Sequence, residues 1–512
     1  MNPTVLLLFV VAYFGILLGV AWFTSRKSNN DSFFIGNRNS NWMLVAFGMI
    51  GTSLSGVTFV SVPGGVGSGG FYYFQLVIGY LLGYLVIIFL LLPLYYKLNL
   101  TSIYTYLEQR FGTTAHKVGA SFFILSRTVG ATARLYLVIN ILQIFILDNL
   151  KIPFLNIVGI PFFITALIIL LMILLYTFEG GVKTIIYTDT LQTTGMLVGL
   201  VACIIVIIKV LGIDFTTALS QMNAKGFTKV FNTDYKASSF FLKHIIGGMF
   251  IAIAMTGLDQ EMMQKNISVK TLKDSQKNML SFASVLILVN FLFLFLGGVL
   301  FLYANSKGIT VAPDDLFPTI ALSNTFGTSI AIIFIIALIS ALFPSVDGAI
   351  TSLTSSYCID ILGMGKNKAN EADKKKKRLK VHLSFAFIFF LMVLVFKAIN
   401  DKLIIDFILK FASITYGPLL ALFSFGMLTK RSINPKFIWA VCIIAPLISL
   451  GIDVLSSPEW YEKKLHISLS LTSLSSKIFN GYKIGNELII INGGITFFSL
   501  WLISFRSNKL KN

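Results

Sequence analysis

Runs of about 20 predominantly apolar residues recur along the whole of this chain, and that is the length an α-helix needs to cross bilayer hydrocarbon. About thirteen can be counted, at 4–24, 43–63, 72–96, 120–147, 156–176, 185–211, 242–262, 280–303, 327–346 running on to 362, 382–398, 404–427, 435–454 and 487–505. Hydrocarbon offers no partner to a bare N–H or C=O, so such segments must close their own hydrogen bonds as helices. Charged residues make up 12% of the chain, half the soluble average of about a quarter. The expected fold class is an all-α polytopic membrane protein of about 13 transmembrane helices. Residues 1–512 read as a single membrane domain, since no connection is long enough for a soluble one. The first run, Val5 to Phe23, lacks a basic start and a small-residue cleavage site, and Arg26 and Lys27 follow it. It reads as a retained helix, not a signal peptide.

The formal charge of +19 is distributed by side. Basic residues gather in alternate loops: Arg26, Lys27 and Arg38; Lys97, Arg110 and Lys117; Lys265, Lys270, Lys273 and Lys277; the run Lys374 to Lys377 with Arg378 and Lys380; Lys430, Arg431 and Lys436; and the tail Arg506, Lys509 and Lys511. With thirteen spans these all fall on one face. The positive-inside rule then sets the amino terminus outside and the carboxyl terminus in the cytoplasm, in a plasma (inner) membrane. A lipid bilayer, anionic lipid included, is the expected partner of this charge, and no nucleic acid is.

Enzyme chemistry is not indicated. His116, His244, His382 and His466 stand singly, without metal-ligand spacing. Cys203, Cys358 and Cys442 lie within or at the ends of apolar runs, so neither a disulfide framework nor a metal site is expected. The glycine-rich segments Gly64–Gly70 and Gly180–Thr184 lack the spacing of a phosphate loop and read as turns between spans.

Polar residues inside the spans point elsewhere. GTSLSGVTFVSVPG, Gly51 to Gly64, crowds Gly, Ser and Thr into one run, where local unwinding would free carbonyls suited to sodium and present Ser53, Ser55 and Thr58 to a solute. ALFPSVDGAITSLTSSYCID, Ala341 to Asp360, is a polar interval on an apolar helix, with Asp347 at membrane depth where a carboxylate needs a counter-ion or a proton. Arg127 and Arg134, seven residues apart, share one face of the fourth span. An inward guanidinium there would hold a solute carboxylate or pair with an acid. Asp189 opens the sixth span; Asp259 and Glu261 close the seventh.

The chain resembles the sodium:solute symporter family. DSFFIGNRNSNW from Asp31, GTSLSG with the later VPG, TSIYTYLEQRFG from Thr101, GGVKTIIYTDTLQ from Gly180, GLDQEMMQKNISVKTLKDSQKN from Gly257 and SSYCIDIL from Ser355 carry the likeness in order. The resemblance implies a LeuT-like 5+5 inverted-repeat core with one helix before and two after. In this chain that gives an extra first helix in 1–30, repeats over 43–212 and 240–428, and accessory helices and tail over 434–512. It implies a sodium site at Gly51, Leu54, Ala341, Pro344 and Ser345, where Pro344 replaces a family hydroxyl and offers only its carbonyl. A second cation site is implied at Asp189 and Asp347; without sodium, like-charge repulsion between them would favour a proton. Ser53, Ser55 and Thr58 match solute-site positions, Gln75 is a plausible polar contact, and an arginine on the fourth span, Arg127 or Arg134, serves anion carriers. The expected function is sodium-coupled symport of a small organic anion such as sialic acid or a monocarboxylate. Sodium- or proton-coupled uptake of a neutral sugar or amino acid is the alternative. Na+ is the coupling ion, with no cofactor and no obligate protein partner expected. A transporter-like sensor or a channel is a lesser alternative, and no fused signalling output is expected beyond the last span.

Overall fold

The computed structural model of the chain describes residues 3–25, 30–148, 150–152, 157–178, 181–364, 370–399, 404–465, 468 and 470–506. Arg26, Lys27, Gly180, His466, Lys509 and Lys511 lie outside the described residues. Eight helices are long and apolar enough to cross a membrane: α1 (Pro3–Ser25), α4 (Tyr73–Lys97), α5 (Thr113–Leu147), α7 (Gly181–Leu211), α10 (Leu272–Lys307), α11 (Gly327–Ile361), α12 (Glu371–Ile399) and α15 (Ile438–Ser456). Three further spans are bent pairs: α2 (Trp42–Ser53) with α3 (Gly56–Gly69) at 55°, α8 (Phe241–Gly257) with α9 (Gln260–Ile267) at 63°, and α13 (Ile404–Thr415) with α14 (Gly417–Leu428) at 42°. The shorter apolar helices α6 (Phe162–Thr177) and α16 (Leu488–Leu502) complete a counterpart for each apolar run.

Small residues let these helices pack closely, as membrane interfaces favour where lipid gives no hydrophobic push. On α4, a Cβ at Gly79 would lie 2.2 Å from the carbonyl oxygen of Ile245, so only glycine admits α8 at that depth. Between α7 and α11 the hydroxyl of Ser340 fills the space over Gly195 and donates to Tyr13 of α1, 2.7 Å away.

Four segments depart from the sequence reading. Gly64–Gly69 is the last part of α3 rather than a turn, and the chain reverses at Gly70, whose φ is +53°. Residues 181–184 likewise open α7 and do not form a loop. The run Lys374 to Lys377 belongs to the first turns of α12. The largest departure is Lys265, grouped above with the loop charges. Asp259 caps a new helix, α9, whose eight residues turn back into the bundle, and Lys265 is 2% exposed.

Candidate solute and cation site

The break between α2 and α3 organises the site. The amide of Leu54 bonds the carbonyl of Ile50 at 2.8 Å, and the next turn closes from Phe59 to Ser55 at 3.0 Å. Among the described hydrogen bonds, the carbonyls of Gly51 and Leu54 receive no amide from the following turn. Such freed carbonyls are hard oxygen ligands, the kind that replaces the hydration shell of an alkali cation. A Cβ on Gly51 would lie 2.3 Å from Thr193 Oγ1 and 3.4 Å from the ring of Pro344. Glycine is therefore required for α2 to lie against both α7 and α11. That contact brings Gly51 face to face with Pro344, while Ala341 and Ser345 share the same helical face and are fully buried. Ser345 donates its proton to the carbonyl of Leu342 at 2.8 Å, which leaves the lone pairs of its oxygen for a cation.

The donor set suits sodium: two carbonyls from the broken helix, and a carbonyl with a hydroxyl from α11. Removing the hydroxyl, Ser345→Ala, is expected to weaken apparent sodium affinity about 10-fold, the worth of one hydrogen-bond-strength ligand. The sodium dependence of thermal stabilisation checks this. An unchanged midpoint would remove Ser345 from the site.

Beside this face lies a buried ionic network. Asp189 Oδ2 is 2.6 Å from the ammonium of Lys265, which is also 2.5 Å from Thr52 Oγ1. Asp189 Oδ1 has no hydrogen-bond partner among the described residues. Asp347 accepts from the hydroxyl of Tyr176 at 2.8 Å and from the amide of Gly348 at 2.5 Å. The pair Asp189 and Asp347 is thus not two bare carboxylates facing one another. An ammonium answers Asp189 and a phenol donates to Asp347.

Arg127 and Arg134 part company here. Arg127 makes an ion pair with Glu261 through Nη2, and its Nη1 lies 3.9 Å from Asp259. Arg134 has no carboxylate within 4.0 Å among the described residues, and it is half-buried. Both line a cavity of about 90 Å³, together with Ser53, Ser55 and Thr58 from the break. Tyr73, Tyr80 and Tyr84 of α4 form another wall. Gln75 does not reach this cavity: its amide donates to the carbonyls of Tyr72 at 2.9 Å and Ser239 at 3.4 Å, pinning a loop.

A larger cavity lies beyond the first, towards the end of the bundle where α3 stops. It holds Lys410 and Trp460, and it shares Tyr73, Ile405 and Leu409 with the first, so these three side chains divide the two. The opposite, basic end is closed. Tyr104 donates to the carbonyl of Leu258 at 2.9 Å, and Gln260 accepts from the amide of Ile103 at 3.0 Å. Asp360 takes bonds from Ser102 at 2.8 Å and Ser356 at 2.6 Å, and meets His116 Nε2 at 2.8 Å.

Sequence reasoning missed Lys265, Tyr176 and the partner of Arg127. A signal was present for one of them: Glu261 and Lys265 sit at i and i+4 just after a capping aspartate, a helix start rather than a loop.

Comparison with known proteins fixes the family. The model of the sodium:solute symporter family matches residues 33–443. The chain belongs to that family. The symporter is 24% identical over 467 residues to the sodium/sialic acid symporter NanT of Aliivibrio fischeri, covering 85% of this chain and 86% of that protein. It is 23% identical over 439 residues to the sodium/sialic acid symporter SiaT of Proteus mirabilis, covering 81% and 83%. Its fold superposes on a substrate-bound, outward-open structure of a Na+-coupled sialic acid symporter with a TM-score of 0.79. The two share 18% identity over 98% of this chain and 99% of the other. The superposition establishes the LeuT-like architecture, and membership of the sodium:solute symporter family gives sodium as the coupling ion.

Proposed function

We propose that the symporter carries a small organic anion, a sugar acid such as sialic acid or a simple monocarboxylate, inward with sodium by alternating access. The observation that carries this reading is Arg134, a guanidinium in the wall of a partly polar cavity with no acidic partner within 4.0 Å among the described residues. A half-buried cation in a cavity wall without a counter-ion is costly, and a solute carboxylate would supply one through two parallel hydrogen bonds. A neutral solute leaves that charge unanswered, which counts against the sugar or amino-acid alternative. The similarity to two sialic acid symporters supports the same solute class.

The freed carbonyls of Gly51 and Leu54, with Ala341 and Ser345 across from them, form the proposed sodium site; Pro344 adds packing against Gly51 and its carbonyl. Asp189 keeps one oxygen, and Asp347 its pair with Tyr176, as the proposed place for a second cation or a proton. Breaks in α2–α3 and α8–α9, the first spans of residues 43–212 and 240–428, support the division into two inverted repeats within one domain. The basic end is read as cytoplasmic, which places the larger cavity outside and makes this an outward-facing arrangement in the plasma membrane. Sodium bound at the break would favour that arrangement and so prepare the solute site.

Counterflow in proteoliposomes under an imposed sodium gradient tests the reading, with carboxylates compared against their neutral amides. Sodium-dependent exchange of carboxylates alone is expected. Equal exchange of the neutral amides would overturn it.

A further inference from the structure

We infer that Glu261 sets the charge specificity of the solute cavity, limiting the symporter to solutes with a single anionic group. This rests on the reading that Arg134 receives a solute carboxylate. Two guanidiniums line the cavity, Arg127 and Arg134, on one face of α5 and about 10 Å apart along its axis. Such a pair, both free, would hold a solute anionic at its two ends. Glu261 removes one of them. Its carboxylate reaches Arg127 from α9 and is itself 1% exposed, packed against Gly348 of α11, where a Cβ would lie 2.4 Å from Glu261 Oε1.

Asp259, the other acid near Arg127, cannot take over this task. Its carboxylate already accepts the amides of Glu261 at 2.9 Å and Met262 at 3.2 Å and the hydroxyl of Tyr416 at 2.6 Å. Arg127 is 3.9 Å from it, too far for a hydrogen bond. Nor is Glu261 spoken for elsewhere: Lys265, its i+4 neighbour, stands 3.9 Å away and belongs to Asp189 at 2.6 Å. The pair is therefore Arg127 with Glu261. A second anionic group entering the cavity would have to displace a buried carboxylate tethered to its own helix.

The experiment uses the full-length protein in proteoliposomes and two probe pairs that differ by one charge on the same skeleton: gluconate with glucarate, and monomethyl adipate with adipate. Each is scored as an inhibitor of sodium-driven uptake of the best anion from the counterflow panel. In the wild-type protein the monoanion of each pair is expected to inhibit more strongly. In Glu261→Gln and Glu261→Ala the ratio should move at least about 10-fold towards the dianion. Glu261→Ala decides the matter should Glu261→Gln fail to fold. The double variant Arg127→Met with Glu261→Met, which removes the pair without freeing a guanidinium, is expected to keep the wild-type ratio. An unmoved ratio in the single variants, or a double variant that shifts as they do, would overturn the inference. If neither member of either pair inhibits the wild-type protein, and Arg134→Ala is indistinguishable from it in uptake, the anion reading fails and takes this inference with it.

Discussion

Arg134→Ala is expected to cost about 100-fold in apparent affinity for a carboxylate solute, with sodium binding measured in the absence of solute left near its wild-type value. The magnitude follows from the interaction lost. A bidentate guanidinium–carboxylate contact in a partly desolvated cavity is worth roughly 3 kcal/mol, and each 1.4 kcal/mol is tenfold. Arg134→Lys should recover only part of it, since an ammonium is a point charge without the planar fork. Arg127→Ala makes a contrasting case. Its guanidinium is already bound to Glu261, so its removal strands a buried carboxylate and is expected to lower stability more than solute selectivity. Uptake kinetics paired with thermal unfolding would separate the two arginines. A loss of affinity in Arg127→Ala that matches Arg134→Ala, with stability unchanged, would reverse their assignments.

Those two residues show how far the sequence could be read. Spacing placed both on one face of one helix, because seven residues is close to two α-helical turns. It gave no means of choosing between them, since the choice depends on an acid more than a hundred residues away in the chain. The span count was legible for a different reason: hydrocarbon imposes a length and a polarity on every crossing segment, and each crossing must write both into its own residues. The break at Leu54 and Ser55 was legible too, since Gly, Ser and Thr crowd there and helix propensity is lowest where they do.

Lys265 marks the opposite limit. A lysine that follows an apolar run is ordinarily at the water interface, and nothing local says that α9 turns back at 63° and carries the charge inward. Burial of such a residue is decided by its partner, Asp189 on α7. Gln75 erred in the other direction. A lone glutamine near a polar cavity has the right chemistry for a solute, but its hydrogen bonds go to whichever neighbours arrive first: here its N–H groups go to the carbonyls of Tyr72 and Ser239, and its oxygen faces the amide of Asn232 at 3.5 Å. The resemblance points to the backbone at Gly51, and the structure has a helix break and a close approach there that tolerate few residues. Side-chain pairings depend on residues distant in the chain, which no local motif specifies.

Lys265→Met is expected to be the most destabilising single change in the network, by about 3–5 kcal/mol. Lys265 is 2% exposed and Asp189 is buried completely, so neither charge has water to fall back on. Removing the ammonium leaves Asp189 facing Thr52 alone, at 3.3 Å, with its second oxygen still unpartnered. Thr52 belongs to the last turn of α2, so the loss would be felt at the break itself. Excess sodium should recover part of this stability, because a mobile cation beside Asp189 would replace the tethered one, and a ligand bound only to the folded state raises stability with its concentration. The double variant Lys265→Met with Asp189→Asn removes both charges and is expected to regain most of the lost stability without added sodium. Its coupling is the informative readout. If Lys265 serves only to neutralise Asp189, the double variant transports with ordinary sodium dependence. If the ion pair links the cation site to the solute cavity through Thr52, which lines that cavity, solute binding in the double variant no longer strengthens with sodium. The position of Lys265, in contact at once with the acid of α7 and the broken helix, favours the second outcome. Thermal stability measured against sodium concentration, with and without solute, distinguishes them.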